Sequence, residues 1–136
     1  MSAYAGDTGI TGTQVNLFCR DLASCLAFYS RLGLAERFRA PTDGRPEHVE
    51  VEAAGSRIGL TSAAAANRLA GLGVVPGAPA STELVLWCTE VDTLHTRALQ
   101  AGATEVTAPT DSPDGRLRYG WVRDPEGHQV KFVQQR

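Results

Sequence analysis

Two stretches of this chain carry one pattern in one order. Val15-Asn16-Leu17-Phe18-Cys19-Arg20-Asp21-Leu22 runs into a helix-like segment that stops at Gly33. Leu84-Val85-Leu86-Trp87-Cys88-Thr89-Glu90-Val91 runs into another that stops at Gly102. The stretches align without a gap, Cys19 on Cys88 and Gly33 on Gly102, with Gln14 and Glu83 at their heads. An internal duplication restricts the chain to folds assembled from two copies of one unit.

The unit is legible from its periodicities. Residues 14–19 alternate as a strand does. Leu22, Leu26, Tyr29 and Leu32 recur at helical spacing, which predicts a helix over 22–32 with Asp21 capping its start and Gly33 ending it. A short strand over 35–39 follows, then a loop containing Pro41, Asp43, Gly44 and Pro46. Residues 48–52 and 57–61 alternate around Ala54-Gly55, a hairpin that, with an even-numbered loop, sets Glu50 opposite Gly59. The second copy predicts a strand at 83–88, a helix at 90–101, a short strand at 104–107 and a closing hairpin of 118–123 with 128–134. The expected architecture is α+β, a single domain of residues 1–136. Its two βαβββ modules are 14–62 and 83–135, and the linker 63–82 begins with a short helical piece.

Composition narrows the function. A chain of 136 residues builds one core, not two independent ones. A net charge of -2 argues against nucleic-acid or anionic-membrane partners. No apolar run approaches the roughly 18 residues of a membrane span. Met1 to Thr13 has neither a basic start nor an apolar core, so a signal peptide is not expected. Cys19, Cys25 and Cys88 form no CxxC pair, as expected of reduced thiols in a cytoplasmic protein.

Alternation divides each strand into two faces. Val15, Leu17 and Cys19, with Leu84, Leu86 and Cys88, are expected to pack beneath the helices. Gln14, Asn16 and Phe18, with Glu83, Val85 and Trp87, point the other way. Polar and aromatic groups mixed on a face under no helix fit a concave binding surface, or equally a solvated sheet face with a few surface aromatics. The Pro125-Glu126-Gly127 turn places Trp121 opposite Lys131, with Tyr119 and Val133 on the same face.

Asp21-Leu22, Phe28-Tyr29 and Leu32-Gly33-Leu34 form one motif, and Trp121-Val122-Arg123-Asp124-Pro125-Glu126-Gly127 a second. Together with the duplication they resemble the vicinal oxygen chelate superfamily over residues 14–135. That superfamily includes glyoxalase I, extradiol dioxygenases, fosfomycin-resistance proteins and bleomycin-binding proteins. The resemblance implies curled half-barrel modules with outer helices and concave faces meeting around a ligand or metal. It also implies a homodimer, with the cup closed within one chain or across two.

Enzymes of this superfamily hold a divalent metal with side chains from the first and last strand of each module. Those positions here are Gln14, Gly59, Glu83 and Lys131. Gln14 and Glu83 can supply oxygen, Gly59 has no side chain, and a lysine ammonium cannot ligate. No cofactor is expected, although His48 or Glu50 with Gln14 and Glu83 would make a fallback divalent site. Lys131 is expected to pair with Glu83 in place of the metal.

Two functional classes remain. The favoured one is a metal-free binder that sequesters an antibiotic or aromatic metabolite, as bleomycin-resistance proteins do. Phe18, Trp87, Tyr119 and Trp121 would wall its pocket, and Gln14, Asn16, Arg57, Glu83 and Lys131 would orient the ligand. The alternative is an enzyme. It would be a glyoxalase-like lyase or isomerase or a dioxygenase if His48 or Glu50 recovers a metal. Otherwise it would be an acid–base catalyst with Glu83 as base and Lys131 stabilising an oxyanion.

Overall fold

The computed structural model of the protein describes residues 9, 12–77 and 81–136. The elements in order are β1 (Val15–Cys19), α1 (Leu22–Arg31), β2 (Ala35–Ala40), β3 (His48–Ala53), β4 (Ser56–Ser62) and α2 (Ala63–Ala70). They continue with β5 (Leu84–Trp87), α3 (Val91–Gln100), β6 (Thr104–Asp111), β7 (Leu117–Arg123) and β8 (Gln129–Gln135). The strands form two four-stranded mixed sheets, ordered β1-β4-β3-β2 and β5-β8-β7-β6. Neither closes into a barrel, and no strand of one sheet pairs with a strand of the other. This is the expected α+β architecture of repeated βαβββ units.

The repeated glycines have one mechanical role. Gly33 has φ +99° and Gly102 has φ +111°, the left-handed conformation that an L side chain resists. Each ends its helix in a Schellman turn. The Leu34 N–H returns to the Tyr29 carbonyl at 3.1 Å, and the Ala103 N–H to the Ala98 carbonyl at 3.0 Å. At the front of α1, Asp21 accepts from the Ser24 N–H at 3.2 Å, the cap its sequence position implied.

β6 runs four residues past the expected short strand and through Pro109. It lies at a sheet edge, and its pairing with β7 shifts register between Glu105 and Thr107 and again between Thr107 and Thr110. An edge strand with bulges tolerates a residue that cannot donate to the ladder.

One core serves both modules. Leu17, Cys19, Phe28, Tyr29, Val49 and Leu60 join Val91, Val122, Val130 and Phe132 in a single buried cluster. Val15 departs from the expected buried face. It is 60% exposed at the start of the edge strand β1, beyond the reach of α1. His95, on α3, is 2% exposed. Its Nε2 lies 2.9 Å from a Glu105 carboxylate oxygen, and its ring sits over Gly120. A Cβ on Gly120 would come within 2.9 Å of His95 Nδ1, so the glycine makes room for the imidazole.

The turn between β7 and β8 locks the modules together. Asp124 is 3% exposed and accepts from the Tyr29 hydroxyl at 2.7 Å, across the module boundary. Its other oxygen accepts the Glu126 and His128 backbone N–H groups, each at 2.9 Å. His128 Nδ1 lies 2.7 Å from Asp124, and Nε2 lies 2.8 Å from the Phe18 carbonyl. Both ring nitrogens therefore face acceptors, which fits a doubly protonated imidazolium. Glu126 completes the clamp by accepting the Arg20 and Asp21 N–H groups at 2.8 and 2.9 Å.

Candidate functional site

The four positions at the first and last strand of each module fall into two clusters, one per sheet. In the first sheet, β1 pairs in parallel with β4 so that Asn16 stands beside Gly59. The β3–β4 hairpin sets Glu50 on the other side of Gly59, the register its alternation implied. Glu50 accepts from Gln14 at 3.3 Å and from Arg57 at 3.0 Å, and its Oε2 lies 3.1 Å from His48 Nε2. With that nitrogen protonated, His48 Nδ1 accepts from the Thr61 hydroxyl at 2.9 Å. The His48 contact, with help from Arg57 and Gln14, holds Glu50 below the ordinary carboxylate range. His48 and Glu50 thus belong to a bonded, partly buried network.

The space beside Gly59 is taken. Gln14 donates to the Asn16 amide oxygen at 3.0 Å. A Cβ on Gly59 would meet that oxygen at 2.0 Å and the Gln14 amide nitrogen at 2.9 Å. Gly59→Ala must displace Asn16 and break its bond to Gln14. We expect a loss of about 0.5–1.5 kcal/mol, the net worth of one such bond. Asn16→Ala should be much less sensitive to the same change, because the closest clash is gone and only the flexible end of Gln14 has to shift. A double-mutant cycle by urea melts measures that coupling, and strict additivity would refute the packing explanation.

In the second sheet, β8 is flanked by β5 and β7. Val85, Lys131 and Trp121 form one row, and Trp87, Val133 and Tyr119 the next. The Tyr119 and Trp121 rings lie 4.8 Å apart, tilted by 52°. Lys131 Nζ sits 5.2 Å from the Tyr119 ring centre and 5.3 Å from that of Trp121. Glu83 accepts from Trp121 Nε1 at 2.6 Å and from Gln129 at 3.2 Å. The expected Lys131–Glu83 ion pair does not form. The indole N–H and the Gln129 amide engage the carboxylate at the head of the strand, while the ammonium turns onto two ring faces.

The expected aromatic walls are likewise divided. Phe18 borders a cavity of about 380 Å³ between the modules, with Leu17, Leu84, His128 and Gln129. Trp87, 63% exposed, stands at the free edge of β5. It also borders a groove of about 520 Å³ with Leu32, Leu34, Leu94 and Arg97. Among the described residues, no hydrogen bond or ion pair joins the Gln14–Glu50 cluster to the Glu83–Lys131 cluster.

The donor set does not fit a divalent ion. Asn16 fills the place of a side chain on Gly59, a guanidinium already holds Glu50, and Lys131 brings an ammonium to the fourth position. The fallback set is split, with Gln14, His48 and Glu50 on one sheet and Glu83 on the other. Cys25, Asp124 and His128 do place ligand-type atoms within 4.8 Å of one another. Asp124 and His128 are committed to the clamp, and a hydrogen bond with Cys19, together with burial, pushes the Cys25 thiol far up. The clamp is what sequence reading missed. Tyr29 and His128 lie 99 positions apart in number, and only the Asp124-Pro125-Glu126-Gly127 motif marks the spot.

Paired βαβββ modules with helices outside and four first- and last-strand positions on open sheet faces define the vicinal oxygen chelate class. The model of the Glyoxalase/Bleomycin resistance protein/Dioxygenase superfamily matches residues 13–132, and the chain belongs to that superfamily. A hypothetical protein from S. aureus superposes with a TM-score of 0.78 at 22% identity, over 92% of this chain and 94% of that one. TioX from a Micromonospora species gives 0.71 at 25%, covering 93% and 100%. A family enzyme from Burkholderia phytofirmans gives 0.74 at 25%, covering 90% and 97%. No curated protein matches the sequence.

Proposed function

We propose that the protein is a metal-free small-molecule binder, holding an antibiotic or an aromatic metabolite without transforming it. The observation that carries this reading is the content of the four metal positions, where an amide fills one place and an aromatic-bound ammonium another. Acid–base catalysis is the weaker reading, since Glu83 lacks the ammonium partner that would tune it. Protein purified without chelator is expected to contain no stoichiometric metal by plasma mass spectrometry. Its melting temperature should rise with members of an antibiotic and aromatic-metabolite panel and not with divalent cations. Stoichiometric metal, or stabilisation by metal alone, would overturn the proposal.

The working form in this reading is a homodimer in a reducing, cytoplasmic setting, which the free thiols of Cys19, Cys25 and Cys88 support. Dimerisation is supported by the outer edges of β1 and β5, which pair with no strand among the described residues and expose Val15, Val85 and Trp87. An uncovered edge invites pairing, and a twofold axis covers two edges at once. No helix among the described residues is long and apolar enough to cross a membrane.

A further inference from the structure

We infer that the ligand is a planar anion, and that Lys131, held between Tyr119 and Trp121, is the group that selects for its charge. The inference rests on the binding reading above and adds the ligand's chemical class to it. Lys131 stands on β8, an inner strand flanked on both sides, so its side chain rises from the middle of a sheet face and not from a margin. Among the described residues no carboxylate lies within ion-pairing distance of it. Its ammonium lies against two ring faces, at 5.2 and 5.3 Å from their centres. Rings attract a cation through their quadrupole but offer no negative charge and no lone pair. The ammonium is thus positioned, partly desolvated, and short of an acceptor.

The nearby acid does not meet that need. One oxygen of Glu83 takes both the Trp121 indole N–H at 2.6 Å and the Gln129 amide at 3.2 Å. Those bonds hold the carboxylate at the head of β5 and spend the indole donor there. On the other sheet, the charge of Glu50 is met by Arg57, His48 and Gln14. Lys131 is therefore the cation of these two clusters that no carboxylate meets. A ligand that covers it must supply an acceptor or bury an unpaired charge, and an anion supplies the strongest acceptor. Flat shape follows from the neighbours. The Tyr119 and Trp121 rings sit one row apart, and Trp87 stands exposed in the Tyr119 row.

Three probes of equal shape test this: naphthalene-2-carboxylate, its neutral carboxamide and 2-naphthylmethylammonium, titrated against wild type, Lys131→Met and Lys131→Arg by calorimetry. The carboxylate is expected to bind wild type roughly 10- to 100-fold more tightly than the amide, as a charge-assisted hydrogen bond warrants. The ammonium probe should bind most weakly. Lys131→Met should abolish the preference, lowering carboxylate affinity far more than amide affinity, and Lys131→Arg should restore part of it. Circular dichroism and melting temperature establish that each variant is folded. Equal binding of carboxylate and amide, or a preference that survives in Lys131→Met, overturns the anion inference while leaving small-molecule binding intact. Failure of all three probes at millimolar concentration also overturns it. The antibiotic panel and metal analysis then decide the binding reading by themselves.

Discussion

Replacing Asp124 with alanine is expected to cost about 3–5 kcal/mol, the usual penalty for removing one partner of a buried charge pair. The substitution strands the Tyr29 hydroxyl, one nitrogen of His128 and two backbone N–H groups at once. Such a loss is a large part of the stability of a domain this size, so chemical denaturation should show a much lower midpoint or no folded baseline. Asp124→Asn keeps an acceptor and should lose less. The same cluster gives the protein a pH dependence. Burial opposes the imidazolium of His128, but the hydrogen bond and charge of Asp124, with the Phe18 carbonyl, prevail and raise its pKa. Burial likewise opposes ionised Asp124, but His128 and Tyr29 prevail and lower it. The His128 contribution is complete below the unfolded value near roughly pH 6.5 and is lost as pH rises through the folded value. The Asp124 contribution is complete above roughly pH 4 and is lost as pH falls through its folded value. Melting temperatures at pH 5.5 and 8.5 should fall between the two for wild type and fall less for His128→Gln. An equal fall in both would remove His128 from the account.

Phe132→Ala should cost about 3–5 kcal/mol, the range for deleting a buried aromatic side chain. Phe132 is fully buried on β8, paired with Leu86 and Gly120, and its ring meets that of His95 edge-on at 6.2 Å. Its sequence neighbour Lys131 points to the opposite face. Truncating Lys131 removes a partly exposed side chain and no core volume, so Lys131→Met should melt within about 0.5 kcal/mol of wild type, as surface changes usually do. Urea denaturation of both variants separates the faces: one adjacent residue holds the fold and the other serves the ligand. Similar losses for both would place Lys131 in the structural core and end its assignment to the binding face.

Much of this was legible in the sequence because repetition and period two are strong signals. The pairing of Trp121 with Lys131 and of Glu50 with Gly59 followed from turn length alone, once the alternation of each strand was read. Asp21 and the two stopping glycines announced the helix ends. Side-chain destinations were less legible. Charge alone pairs Lys131 with Glu83, yet an indole N–H competes for the carboxylate and two rings compete for the ammonium, which depends on distances no pattern encodes. The seat of His95 over Gly120 is equally unmarked, because it depends on how α3 meets β7. The Tyr29–Asp124–His128 clamp was invisible for a different reason: its members come from both modules, and periodicity speaks only within an element.

That clamp has a consequence for synthesis. Tyr29 emerges from the ribosome 95 residues before Asp124, and Val122, Val130 and Phe132 of the same buried cluster follow as late. The first βαβββ copy can form its own hydrogen-bonded ladder early and pack α1 against β3 and β4, but the side of α1 that meets α3 and the Asp124 clamp stays uncovered until the second copy appears. The duplicated unit is therefore half a folding unit. The nascent chain must keep its amino-terminal copy from sticking to other surfaces until the carboxy-terminal copy arrives.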